Sequence, residues 1–546
     1  MIIGLHPTAH SIFLFRADNS DYLPIHRIKM ITSTAIGLNS RQVWDGAAAN
    51  GVQALSAAIS VSASGADTVN AASIVTIQSV AAPANPVYTI PTETLAWASP
   101  PADAISQSML TNVKTGTAAD NASCLLRGLG TSLLTRFTTT QADYDQTVSD
   151  YYSLETSEAS RAQAVLTAQS AENQISLTLK TASNKQVEIR IAFDQSHQDV
   201  SKSLAVQIRT SDQLTQEESA AVAGLAQGFE TALQGIAQNS SINQATTPPA
   251  IDLSGLLNVD FQVLASVDLT VKEASRFSGL QFFAFHADAA SRSVSLNSAS
   301  GAVSVAVNTS ASASATIGSK EQQKASIERY LSQFDAANSR AQAPPALLSQ
   351  LKNMFSQLQS APSATNSQSM PLPAAFKTAS KQWLSGLADF QASMSGEYSE
   401  MTGNELRMTG KMAYQAAQET SVIPEGNRLS ASQTETSSLN ATILRSRGGA
   451  LHTETGNYDI YRVQDSSKVT TAFSTVTHPD GSSYVESASR TRLIQQLMHY
   501  EKLVNHKAAE TRDTPNNIAD TVNLLTQKIP DSFGLNSTES VSSSGK

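Results

Sequence analysis

Apolar and polar residues alternate with period two in several stretches of the chain. Ile175, Leu177 and Leu179 alternate with Ser176, Thr178 and Lys180, and Val187, Ile189, Ile191 and Phe193 alternate with Glu188, Arg190, Ala192 and Asp194. Successive side chains of a strand point to opposite faces, so two such runs joined by the polar Ser183-Asn184-Lys185 predict a hairpin with one buried face. Residues 204–208 add a third strand. Phe261, Val263, Ala265, Val267, Leu269 and Val271 predict a long strand with Asp268 and Thr270 on its wet face. Residues 276–286, carrying Phe277, Phe282, Phe283 and Phe285, read as its partner, and Val303, Val305 and Val307 as a further short strand.

Elsewhere the apolar spacing is three and four. Val222, Leu225, Phe229, Leu233 and Ile236 predict a helix over 216–238. Thr215-Gln216-Glu217-Glu218 supplies its capping box, in which the Thr hydroxyl accepts the Glu218 N–H and the Glu218 carboxylate accepts the Thr215 N–H. Gly224 and Gly228 give this helix a G-x-x-x-G, read as close packing on a sheet, because Glu217, Glu218 and Glu230 rule out a membrane dimer face. Ser319-Lys320-Glu321-Gln322 is a second capping-box match, ahead of Ile327, Tyr330, Leu331 and Phe334. Phe376, Trp383, Leu387, Phe390 and Met394 share one face of a helix drawn over 374–394, and Leu493, Leu497, Tyr500 and Val504 one face of a helix over 487–507. Residues 458–463 and 468–476 are β-rich, and His478-Pro479-Asp480-Gly481 is a turn, with Pro and Gly where a type I turn takes them.

These elements predict an α+β fold. An Ala/Ser/Pro-rich, partly disordered region spans 1–103, with an extended linker at the prolines of 83–101. A helical segment follows over 104–172. An α+β module, an antiparallel sheet with a packed helix, spans 173–309 and has its strands from 175 onward. A helical region covers 319–412, strand hairpins and a helix 413–530, and a disordered Ser-rich tail 531–546. Polar linkers fall at 239–250, 309–318 and 360–373.

Charged residues make up only 15% of the 546, against about 25% in an average protein, so the surface is expected to be neutral and polar. The net charge of −9 argues against nucleic acid as a partner. No apolar run reaches the roughly 20 residues of a membrane helix. The four apolar residues from Ile12 to Phe15 are too short for a secretory signal. The expected location is the cytoplasm, or outside the cell by a route without a cleaved signal, and either Met1 or Met30 serves as the start. Cys124 stands alone beside Leu125 and Leu126, which excludes an intrachain disulfide and reads as a small buried hydrophobe.

Motifs with chemistry are missing or fail on their details. Ser349-Gln350-Leu351-Lys352 spells S-x-x-K but fits a solvated amphipathic segment. Asp143, Asp145, Thr147 and Ser149 mimic a calcium loop, yet its sixth and twelfth positions are Val148 and Leu154, so a helix start with an acidic first turn is the expectation. His499 and His506, seven apart on the expected helix, are too distant to share a metal. No catalytic, cofactor-binding or metal-ligating set is singled out. A protein partner is the remaining expectation, with the stripe Phe376, Trp383, Leu387, Phe390 and Met394 as its candidate surface. A stripe of this kind more often faces its own core.

The hairpin of 175–193, the helix opening at Leu214-Thr215-Gln216-Glu217-Glu218, the segment Ile251-Asp252-Leu253-Ser254-Gly255-Leu256 and the stretch Tyr458-Asp459-Ile460-Tyr461-Arg462-Val463 resemble a group of uncharacterised proteobacterial proteins. The resemblance covers about half the chain. It implies a bacterial source and a module boundary, and no activity. The functional expectation is a non-enzymatic scaffold or interaction protein. The alternative is a hydrolase whose site is assembled from distant residues.

Overall fold

The computed structural model describes residues 92–115, 122–153, 157–195, 202–239, 250–272, 279–310, 316–361 and 372–526. Its strands form a single 15-stranded sheet. The first nine are β1 (Thr92–Trp97), β2 (Tyr144–Ser153), β3 (Asn173–Thr181), β4 (Gln186–Gln195), β5 (Lys202–Thr210), β6 (Leu264–Lys272), β7 (Leu280–Asp288), β8 (Ser291–Ser298) and β9 (Gly301–Asn308). Six long strands follow: β10 (Phe390–Thr402), β11 (Glu405–Glu425), β12 (Arg428–Ser446), β13 (Tyr458–Thr477), β14 (Ser483–Val504) and β15 (Lys507–Asn523). The spatial order is β1-β2-β5-β4-β3-β6 and then sequential to β15, with antiparallel neighbours throughout.

Helices are inserted between the strands. They are α1 (Ala104–Thr115), α2 (Ala122–Leu126), α3 (Leu129–Thr135), α4 (Glu158–Gln169), α5 (Gln216–Gly224), α6 (Ala226–Asn239), α7 (Ser254–Leu257), α8 (Lys320–Ala341), α9 (Pro345–Ser360) and α10 (Ala374–Trp383). One sheet face, carrying Ile175, Leu177, Ile189, Ile191, Val267, Leu269, Val271, Val305, Phe390 and Tyr414, joins the apolar residues of most helices in one continuous core. Of the described helices, α4 alone lies across the other face, where Ala171 packs with Ala192 and Ala205.

The hairpin of β3 and β4, the third strand β5 and the alternation of β6 are as the sequence predicts. Val267, Leu269 and Val271 are buried and Thr270 is exposed. Asn184 takes the left-handed conformation, φ 67°, in the hairpin turn. The strand begins at Leu264, however, and Phe261 and Val263 sit half-buried in the turn before it. The capping box at Thr215 is complete, with Glu218 N donating to Thr215 Oγ1 at 3.2 Å and Thr215 N to Glu218 Oε2 at 2.7 Å. Thr215→Ala is expected to cost about 0.5–2 kcal/mol in a denaturant titration. At Ser319 only half of the box forms: the Ser hydroxyl caps Gln322 N, but the Gln322 amide reaches instead to the Ser380 and Leu384 carbonyls.

Several expectations are corrected. Residues 92–97 are an edge strand rather than linker. The segment 104–172 contains β2, so Asp145, Thr147 and Ser149 lie on a strand rather than a helix start. The helix over 216–238 divides at Leu225 into α5 and α6. Its Gly228 packs against the backbone of Gly255 in α7 rather than on the sheet; a Cβ there would lie 2.6 Å from Gly255 C. Gly224 faces open space. The helical region of 319–412 ends at Trp383, and the strands β10 and β11 fill 390–402 and 405–425. The strands of 458–463 and 468–476 are one, β13. The helix over 487–507 is strand β14, with His506 in the left-handed turn into β15, φ 61°. On a strand Leu493 and Leu497 share one face while Tyr500 and Val504 share the other, so the helical spacing was a coincidence of composition. Cys124 is half-buried rather than buried. The region 1–91, the tail from 527, and linker residues 240–249, 311–315 and 362–371 lie outside the described residues.

Candidate functional site

The helices α8, α9 and α10 cover the same face of the long strands and are fixed there by specific contacts. Tyr330 and Phe334 of α8, tilted against each other, and Phe355 of α9 pack together and edge-on with Phe390 and Tyr414, at ring separations from 4.8 to 6.5 Å. Arg329 and Arg340, on one side of α8, make paired bonds to Glu435 of β12 and Asp465 of β13. Tyr398 spans to the last turn of α8 by donating to the Ala341 carbonyl, and its ring covers Gly410 opposite it. Burial lifts the Tyr398 hydroxyl to about 12. Burial likewise pushes the Tyr330 hydroxyl well up, and the charge of Glu435 adds to it. These perturbed groups are fastened between helix and sheet.

The stripe proposed from sequence is divided by this arrangement. Phe376 and Trp383 lie on α10, in a small cluster with Leu429, Ala431, Phe473 and Ala488 of the sheet. Leu387 lies in the following loop and Phe390 and Met394 on β10, all three in the main core. All five are buried, so they present no surface to a partner.

The opposite face of β6 to β15 carries no described helix; hydroxyls and amides are frequent on it, among charged residues such as Lys411, Arg462 and Lys468 and exposed apolar ones such as Phe282, Ile423 and Leu493. On β12, Ser430, Ser432, Thr434, Thr436, Ser438, Asn440 and Thr442 point to this side, alternating with core-facing Ala431, Leu439, Ala441 and Ile443. Strand pairing aligns such residues into rows. One row runs from Ser176 through Thr270, Ala284, Ser295, Ser304 and Ser393 to Gln415, and on through Ser438, Ser466 and Gln495 to Asn517. It crosses eleven strands and is polar and uncharged at every position but Ala284. Ser304 and Ser393 meet at 2.7 Å, and Thr434 meets Thr470 in a parallel row at 3.3 Å. Adjacent strands stand about 4.8 Å apart, so the row is a regular ladder of donors and acceptors. The neutral composition is legible in the sequence, and this placement is not. A partial signal is present at the two ends of β12, where Ser430, Ser432, Asn440 and Thr442 alternate with Leu429, Ala431, Leu439, Ala441 and Ile443.

Charge on this face includes Arg462 with Glu501 at 2.9 Å and His499 with Asp513 at 2.6 Å on β13 to β15, and a cluster at β6 and β7. His286 Nδ1 is 2.6 Å from Asp268 Oδ1 and its Nε2 is 3.2 Å from Asp288 Oδ2, while Ser266 donates to Asp268. A nucleophile needs its hydroxyl on the base. Here Ser266 bonds the carboxylate and both ring nitrogens are engaged by acids, so the group is an ion-pair clamp rather than a nucleophile and base. Cys124 has Arg127 at 3.8 Å. Among the described residues no group of three or more His, Cys, Asp or Glu is arranged to hold a metal ion. A cavity of about 30 Å³ lined by Asn239, Leu280, Leu296 and Gln350 has room for about one or two waters. No described helix is long and apolar enough to cross a membrane.

No protein-family model matches the chain, and neither curated proteins nor solved structures match it.

Proposed function

We propose that the protein is a non-catalytic scaffold or interaction protein of bacterial origin that works through the uncovered face of its sheet. The observation that carries this reading is the eleven-strand ladder of uncharged polar side chains on that face. Such a surface offers many weak hydrogen bonds over a broad area and little apolar burial, which suits a protein partner of similar polarity held by extent rather than by a pocket. Export by a route without a cleaved signal accords with the low charge and the Ser/Ala-rich composition, and fractionation of the source cells tests it.

The working face is tested with single cysteines at Ser304, Thr434 and Ser438 in a Cys124→Ser background, labelled with a thiol reagent in the purified protein and in the source cells. The proposal expects ready labelling when pure and protection in the cell. Equal labelling in both settings would remove the assignment of this face. Replacing Ser438 by Arg is expected to leave unfolding free energy within about 0.5 kcal/mol of the parent, as for an ordinary surface change, while reducing the protection.

A further inference from the structure

The His286 clamp has a property that its geometry imposes. A neutral imidazole offers one N–H and one lone pair. With Asp268 Oδ1 2.6 Å from Nδ1 and Asp288 Oδ2 3.2 Å from Nε2, either tautomer would aim a lone pair at an ionised oxygen. The imidazolium alone donates to both. The carboxylates are themselves fixed. Asp288 Oδ1 accepts from Ala290 N at 2.8 Å and Ser291 N at 2.6 Å, which shapes the turn between β7 and β8. Asp268 Oδ2 accepts from Ser266 Oγ at 2.9 Å.

We propose that Asp268, His286 and Asp288 form a pH-sensitive latch on the uncovered face, in which protonated His286 ties β6 to the β7–β8 turn and loss of its proton loosens that turn. The groups facing the imidazole are few. β6 contributes Asp268 and Ser266, with Lys272 further along; β7 itself contributes Asp288. β8 places the uncharged Ser293 opposite His286. Beyond β6, Thr178 of β3 stands opposite Asp268 and Lys180 opposite Ser266, and Glu188 of β4 stands opposite Thr178. Partial burial opposes the charge on His286, but the bonds and charges of Asp268 and Asp288 outweigh it and raise its pKa above the ordinary value. Burial likewise opposes the charge on Asp288, but bonds from Ala290 N, Ser291 N and His286 lower its pKa. For a raised histidine, the stabilisation is complete below the unfolded pKa of about 6.5 and is lost as pH rises through the folded value.

The test is a titration of the full chain with carbon-labelled histidine, His286 being assigned by the signal lost in His286→Gln, combined with hydrogen exchange at Ala290 and Ser291. The latch predicts titration of His286 clearly above pH 6.5, moved down in Asp268→Asn. It also predicts that exchange protection at the turn, corrected for intrinsic rate, falls roughly twofold to fivefold through that titration, the range an exposed ion pair supports. In His286→Gln the corrected protection should be flat over the same range. Titration of His286 at or below 6.5, or a turn whose protection does not change as His286 titrates, would overturn the proposal.

Discussion

Phe355→Ala is expected to destabilise the protein by about 3–5 kcal/mol, read as a lower denaturant midpoint. Phe355 is fully buried and its ring touches Tyr330, Phe334 and Phe390, the contacts that join α8 and α9 to β10. Truncation removes burial worth a few kcal/mol and leaves a cavity between two helices and a sheet whose other contacts hold them apart. Phe355→Leu should recover most of the loss because it refills the volume, and a Leu variant as unstable as the Ala variant would show that the ring edges rather than the volume matter.

A similar loss is expected at Glu218. This carboxylate is buried at the N-terminus of α5, where it accepts from Ser183 Oγ at 2.5 Å, Thr215 N at 2.7 Å and Lys185 Nζ at 3.0 Å. Burial raises its pKa, but the bonds from Ser183, Thr215 and Lys185 overcome that and hold it at about 2. A lowered carboxylate stabilises above its unfolded pKa and ceases to do so as pH falls through the folded one. A shift from the ordinary 4.5 to about 2 corresponds to roughly 3 kcal/mol, present above about pH 4.5 and lost toward pH 2. Glu218→Gln should cost roughly 2–4 kcal/mol at pH 7, since it leaves Lys185 half-buried without its partner. The difference between Gln variant and parent should shrink as the pH is lowered from 4.5 to 2. A difference constant across that range would mean that Glu218 does not carry the acid sensitivity.

The parts of the fold legible in the sequence are those where the local pattern and the long-range pairing agree. The β3–β4 hairpin has period two on both arms and a polar turn, and Thr215 and Glu218 satisfy each other within one helical turn. Where the two conflict, pairing decides. In β14, Leu493, Leu497, Tyr500 and Val504 imitate a helix face, but nineteen positions of β13 stand ready as a pairing edge. The stripe from Phe376 to Met394 imitated a single face because a helix and a strand happened to carry large residues at matching spacing, with Leu384 and the following loop between them. The uncovered face was invisible for a different reason. A row such as Ser295, Ser304, Ser393 and Gln415 exists only across strands far apart in sequence, and Ser and Thr at each position are unremarkable in a Ser-rich chain. The His286 clamp likewise needs the register of β6 against β7 before Asp268 and His286 become neighbours.

The account depends on one sheet whose two faces differ, and cysteine scanning of β12 tests that most directly. In purified Cys124→Ser protein, single cysteines at successive positions from Ser430 to Ile443 are labelled with a thiol reagent under native conditions. The account predicts period two: fast labelling at 430, 432, 434, 436, 438, 440 and 442, and slow labelling at 431, 433, 439, 441 and 443, beneath the helices and the core. Fast labelling on both sets, or slow labelling on both, would contradict a sheet with one covered and one open face.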